Sequence, residues 1–217
     1  MTAAVESKLG LLGLGLAQIA IAYGSVMFYP RYFGPLETNH PTGLAQSVLM
    51  VAALTFPLLA VTAPGKTFMS GFQTIALGLV ASIVGTLAIH VVIIFFGAPL
   101  FQLRWETLLL AALVSILSIP ALIMHLPMSF SQAIDLILNA RQDMYRSLRD
   151  VQAAWTCIGT LVGAYLGTIF IPLDWDRPWQ KWPLPCIYGA VYGHIGGILL
   201  SIVITLSGVR LVTSKKD

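Results

Sequence analysis

Hydrophobic positions in this chain come in long, nearly unbroken blocks, separated by short clusters of proline, glycine and charge. Four blocks run Leu9–Tyr29, Leu44–Val61, Phe72–Phe96 and Trp105–Met124, and two more flank a loop at 172–183 within Trp155–Thr205. Each is within the ~17–25 residues an α-helix needs to cross a bilayer. The pattern therefore predicts six spanning helices, with kinks at Pro57 and Pro120. The first block is longer than the apolar core of a secretory leader and reads as an uncleaved span. Between the fourth and fifth spans the pattern changes. Over Pro127–Gln152, Phe130, Ile134, Ile137, Leu138, Tyr145 and Leu148 recur at helical spacing among Asp135, Arg141, Asp143, Arg146, Arg149 and Asp150. That predicts an amphipathic helix on the membrane surface. A partner-docking helix, or one packed on the protein's own helix ends, fits the same spacing.

Composition turns this pattern into a class. Hydrophobic residues make up 57% of the 217-residue chain, charged residues 10%, and mean hydropathy is +0.84. A soluble domain carries roughly 25% charged residues. Too little polar surface exists here to cover a soluble globule, so the expectation is an all-α, polytopic membrane protein. With no internal repeat and no linker, it forms a single transmembrane domain over 1–217. The net charge of +3 is spread along the chain, with no basic run of the kind that binds nucleic acid.

Charge does set an orientation. Six spans place both termini on one side, with Lys8, Lys66, Arg141, Arg146, Arg149, Arg210, Lys215 and Lys216; Arg31, Arg104, Arg177 and Lys181 fall on the other. Positive charge collects in cytoplasmic loops, so both termini are expected in the cytoplasm and the 172–183 loop on the opposite side.

That last loop concentrates the chain's unusual chemistry. Pro172-Leu-Asp-Trp-Asp-Arg-Pro-Trp-Gln-Lys-Trp-Pro183 holds three of the five tryptophans and four charges. Its prolines preclude a regular helix, since each lacks an N–H and fixes φ. The flanking spans carry glycine every fourth residue: Gly159, Gly163 and Gly167 before the loop, Gly189, Gly193 and Gly197 after it. Each set lies on one helical face, where a missing Cβ lets another backbone approach. An antiparallel hairpin would set Gly167 level with Gly189, Gly163 with Gly193 and Gly159 with Gly197. The plainer reading is that glycine is common in membrane helices. Cys157 lies deep in the hairpin and Cys186 near its loop, too far apart for a disulfide.

Candidate chemistry is thin. Ala60–Thr67 matches a permissive phosphate-loop pattern, but a membrane span precedes it and Pro64 removes an N–H that phosphate would need. His40, His90, His125 and His194 are scattered, with no metal-ligand spacing. An ionisable residue within a span is a functional candidate, but a neutral histidine bonded to a neighbouring helix is the commoner case and is the favoured reading of His194. Carboxylates on the loop side are Glu37, Glu106, Asp174 and Asp176. Two-metal phosphoryl transfer wants more ligands than these around an activated nucleophile. Asp174 and Asp176 with Arg177 would suit a zwitterionic head group or pair within the loop. The tryptophans read as an interfacial belt or as a protein-binding surface.

Ile171-Pro-Leu-Asp-Trp-Asp-Arg-Pro-Trp-Gln-Lys-Trp-Pro183 resembles the signature of the phosphatidylinositol-glycan biosynthesis class F family. Gly163-Ala-Tyr-Leu-Gly167, Gly97-Ala-Pro-Leu100, Glu106-Thr107 and Gly189-Ala190 with Gly193 fit the same pattern, so the likeness covers roughly 97–197. The resemblance implies a multi-pass protein of the endoplasmic reticulum membrane. It implies a non-catalytic accessory subunit that stabilises the ethanolamine phosphate transferases acting on the second and third mannoses of the glycosylphosphatidylinositol (GPI) precursor. The resemblance implies phosphatidylethanolamine as donor, with the metal site and nucleophile in a lumenal domain of the catalytic partners, leaving no cofactor, metal or catalytic residue here. Lys215-Lys216-Asp217 departs from a dilysine retrieval signal, so residence in the reticulum would depend on the partner.

On these grounds the expected partner- or lipid-contact loop is Asp174, Trp175, Asp176, Arg177, Pro178, Trp179, Gln180, Trp182 and Pro183, and the six glycines above pack the helices. A different class of reading is a lipid-handling protein that binds or delivers phosphatidylethanolamine or the GPI intermediate. It would be favoured by a groove lined by His90, Glu106, His194 and Asp174. An intramembrane enzyme would instead need Glu37, His40, Glu106 and Asp176 to converge on a metal.

Overall fold

The computed structural model describes residues 8–62, 68–99, 101–125, 145, 147–173 and 175–207. These are mostly helical, with no strand among them, and six helices are long and apolar enough to span a membrane. The elements are α1 (Lys8–Tyr23), α2 (Pro30–Phe33), α3 (Thr42–Thr62), α4 (Phe68–Phe95), α5 (Arg104–His125), α6 (Leu148–Gly167) and α7 (Leu184–Leu206). α1 and α2 form one span through a π-helical turn at Gly24–Phe28.

The first span reaches Phe33, past the Tyr29 boundary that hydropathy marks. The widened turn is closed by the Tyr29 N–H donating to the Gly24 carbonyl at 2.8 Å. Pro30 then opens α2, where a missing N–H breaks no helical bond. α3 and α5 continue through Pro57 and Pro120. α4 ends at Phe95, one residue short of the expected Phe96, and Gly97 follows it with a φ of +99° that is open to glycine at little cost.

The core sits around α5, whose span is 61% buried against 22–39% for the others. Its Leu110, Leu113, Val114 and Leu117 pack with Val48 and Val51 of α3, Val26 of the π turn, and Ile187, Ala190 and Val191 of α7. With no polar solvent outside, outward faces stay apolar. Val80, Ile83, Val84 and Leu87 of α4 are exposed together, as a lipid-facing helix requires.

The largest departure from the expected boundaries is at α6. It begins at Leu148, so the last residues of the 127–152 segment belong to the fifth span, which was expected to open near Trp155. The reason is an N-terminal capping box, which charge-based reading mistook for surface polarity. Asp150 N–H donates to Ser147 Oγ at 3.2 Å, and Ser147 N–H donates to Asp150 Oδ2 at 3.0 Å. Arg149 turns back and donates to the Thr62 carbonyl at the end of α3. Tyr145, fully buried with Leu122, Val151 and Ala154, seals this end; burial first, and the Asp150 carboxylate second, push its phenol pKa up. Residues 127–144 and 146 of the predicted amphipathic helix lie outside the described residues. Ser147→Ala should cost about 1 kcal/mol, seen as a fall of roughly 2–4 °C in the thermal midpoint of the purified protein. An unchanged midpoint would mean that the cap contributes nothing.

Candidate functional site

The site is built on the α6–α7 hairpin, the most extensive helix pairing in the molecule. Its glycines face each other backbone to backbone. A Cβ placed on Gly163 would lie 2.7 Å from Gly193 Cα, and one on Gly193 2.8 Å from Gly163 Cα. One on Gly159 would lie 2.9 Å from Gly197 Cα. A Cβ on Gly189 would lie 3.3 Å from Gly167 Cα, and those on Gly167 and Gly197 would meet backbone at Cys186 and Thr156. Deeper in, Thr160 donates its only hydroxyl proton to the Thr156 carbonyl at 2.7 Å, so its oxygen accepts from Nδ1 of buried His194 at 3.1 Å. His194 thus joins the two helices from within. Cys157 and Cys186 are buried free thiols.

Close approach of the helices fixes the ends of the loop between them, and one residue fixes its interior. Gln180 Nε2 donates to the carbonyls of Phe170 at 2.9 Å and Leu173 at 2.8 Å, while Gln180 Oε1 accepts from the Arg177 N–H at 2.9 Å. Two short 3-10 turns, Thr168–Phe170 and Pro178–Gln180, are thereby strapped together. Phe170, Trp175 and Trp179 form a mutual edge-on cluster with centroids 6.0–6.3 Å apart. Trp175, Asp176, Arg177 and Pro178 are exposed, and Asp176 takes φ +45°. Asp174 lies outside the described residues.

Trp182 and Pro183 depart from the expected contact surface. Pro183 is buried, and half-buried Trp182 donates its indole N–H to Thr107 Oγ1 of α5 at 3.0 Å. They anchor the loop to the core rather than present it. Sequence reasoning missed Gln180's role as a strap, since amide bonding to main chain leaves no periodic signal. It also missed Tyr188, whose hydroxyl donates to Glu37 Oε1 at 2.7 Å and ties α7 to the 34–41 loop.

The polar groove that would favour a lipid-handling reading includes Asp174, which lies outside the described residues. A groove of about 800 Å3 does open at the loop end between α4, α5 and α6, but its walls are apolar: Ile93, Phe96, Val114, Leu161, Tyr165 and Trp182. None of His90, Glu106 and His194 lines it. Glu106 sits in the first turn of α5, where a carboxylate favours the helix dipole. Among the described residues, no three His, Cys, Asp or Glu converge as metal ligands.

A family model described as GPI biosynthesis protein family Pig-F matches residues 19–202. A Yarrowia lipolytica protein named glycosylphosphatidylinositol anchor biosynthesis protein 11 is 32% identical over 205 residues, covering 91% of this chain and 88% of that one. A human protein named GPI ethanolamine phosphate transferase, stabilizing subunit, is 35% identical over 113 residues, covering 52% of this chain and 50% of that one. The mouse protein of the same name is 33% identical over 114 residues. The match thus spans about half the length of the two mammalian relatives. No solved structure matches the chain.

Proposed function

We propose, from the premise that this chain belongs to the GPI biosynthesis protein family Pig-F, that it is a non-catalytic subunit stabilising GPI ethanolamine phosphate transferases. The catalytic partners are the enzymes for the second and third mannoses. The complex sits in the endoplasmic reticulum membrane, with both termini of this chain cytoplasmic and the 172–183 loop lumenal. Support comes from relatives named as a stabilizing subunit of such a transferase and as a GPI anchor biosynthesis protein.

The observation that carries the mode of action is the exposed set Trp175, Asp176, Arg177 and Pro178, held on a loop whose interior is strapped by Gln180. Exposed tryptophan and arginine on a rigid support have the composition of a binding hot spot. Such a surface loses little conformational entropy on docking. The test is capture of the two large transferases in mild detergent by wild type, Trp175→Ala and Arg177→Ala. A hot-spot residue contributes about 2 kcal/mol or more, so each variant should weaken capture roughly 30-fold. Undiminished capture by both variants would remove the loop from the interface.

The 800 Å3 apolar groove favours a second reading, in which the chain holds or delivers phosphatidylethanolamine or the GPI intermediate. Full capture by the loop variants, with GPI precursors still accumulating in cells, would bring that reading forward.

A further inference from the structure

A smaller cavity, of about 360 Å3, lies on the other side of the loop, between the first span and α7. Its chemistry differs from the apolar groove. Tyr23, Tyr188, Tyr192 and Trp179 supply four aromatic side chains, Glu37 a carboxylate and Arg31 a guanidinium. Aromatic faces beside a carboxylate attract an ammonium group by cation–π and charge. The Tyr188 O–H donated to Glu37 Oε1 at 2.7 Å fixes the carboxylate's place and leaves acceptor capacity for an N–H donor. A guanidinium on the same rim matches phosphate.

This chamber is not isolated. Trp179, Tyr188 and Tyr192 also line a second cavity of about 480 Å3, which runs along Gly163, Gly167, Gly189 and Gly193. That cavity is walled otherwise by Leu166, Phe170 and Pro185. From Pro185 to Gly193 the groove follows α7 for roughly 12 Å at 1.5 Å per residue. A polar chamber with both charges, lying against an apolar groove along α7, offers the two environments that an amphiphile needs.

We infer that these adjoining cavities hold one phospholipid whose head group carries both a phosphate and an ammonium, the ammonium at Glu37 and the aromatic residues, the phosphate at Arg31, and an acyl chain along the α6–α7 glycine face. This site lies apart from the 800 Å3 groove and does not depend on the accessory role.

The test uses the full chain alone, exchanged into equal amounts of phosphatidylethanolamine, phosphatidylcholine and phosphatidylglycerol with identical acyl chains, and read by native mass spectrometry. Wild type should retain an ammonium lipid at least fivefold over phosphatidylglycerol. The ratio of ethanolamine to choline lipid tells whether primary or quaternary ammonium is preferred. Glu37→Gln keeps an acceptor for Tyr188 and should erase the preference for ammonium. Tyr192→Ala, at an exposed position that folding tolerates, should reduce it severalfold. Arg31→Gln should lower retention of all three lipids alike. Equal retention of phosphatidylglycerol by wild type, or an unchanged preference in both Glu37→Gln and Tyr192→Ala, would overturn the inference. Because no transferase is present, neither result bears on partner capture.

Discussion

Leucine at Gly163 or Gly193 should sharply lower the yield of folded chain and, with it, abolish capture of the transferases proposed as partners. The reason is that the neighbour is backbone. A Cβ at Gly163 would sit 2.7 Å from Gly193 Cα, and the reverse substitution meets the same wall at 2.8 Å. A flexible side chain in the way would rotate aside; a facing helix must move bodily. Overpacking in a tight interior costs about 1–3 kcal/mol even where neighbours can shift, and here the helices must separate along their most extensive contact. Separation would also stretch the His194–Thr160 hydrogen bond and release both ends of the loop. Gly196→Ala is the matched control. It lies on the same helix with no atom within 4 Å of a Cβ, so it should leave the thermal midpoint unchanged or raise it slightly, since alanine favours helix by about 1 kcal/mol. Fluorescence-detected gel filtration after heating separates the cases. Equal behaviour of Gly163→Leu and Gly196→Ala would show that glycine spacing is compositional rather than structural.

That contrast also shows what the sequence made legible. A four-residue glycine period on two adjacent apolar segments predicts the hairpin register, because Cβ removal matters only where backbones meet. Span number was equally readable, since long apolar blocks have few alternatives in a bilayer. Boundaries set by polar residues were not. Arg149 and Asp150 look like surface charge, yet they are a helix cap and a tie to α3, distinguished only by their partners at Ser147 and Thr62. For a similar reason, His90, Glu106 and His194 do not line the 800 Å3 groove. They were grouped as ionisable residues in or beside spans, but helix rotation decides what a residue faces, and nothing local in the sequence encodes it between distant helices. Glu37 and Tyr188, separated by 151 positions, meet for the same reason and were not foreseen.

Gln180→Ala should disconnect the loop from its support while leaving the bundle folded. The side chain makes three hydrogen bonds to main chain, at Phe170, Leu173 and Arg177, and touches no core residue through them. Each exposed bond contributes modestly, about 0.5–1.5 kcal/mol, so the thermal midpoint of the helices should fall only a few degrees. Trp182 still anchors the far end to Thr107, and the glycine faces still close the hairpin. What changes is the freedom of Trp175 and Arg177. Ordering loose side chains and loop on docking costs roughly 0.5–1.5 kcal/mol per group, so partner capture should drop about tenfold without removal of any contact residue. Limited proteolysis should cut within 173–180 sooner, and tryptophan emission should shift to the red as the Phe170–Trp175–Trp179 cluster opens. Gln180→Glu sharpens the argument: it keeps an acceptor for the Arg177 N–H but sets a carboxylate against two carbonyl oxygens, so it should loosen the loop at least as much as alanine does. If both variants expose the loop to protease yet capture partner like wild type, the loop is not docked through a preformed surface, and the interface belongs to another face of the bundle.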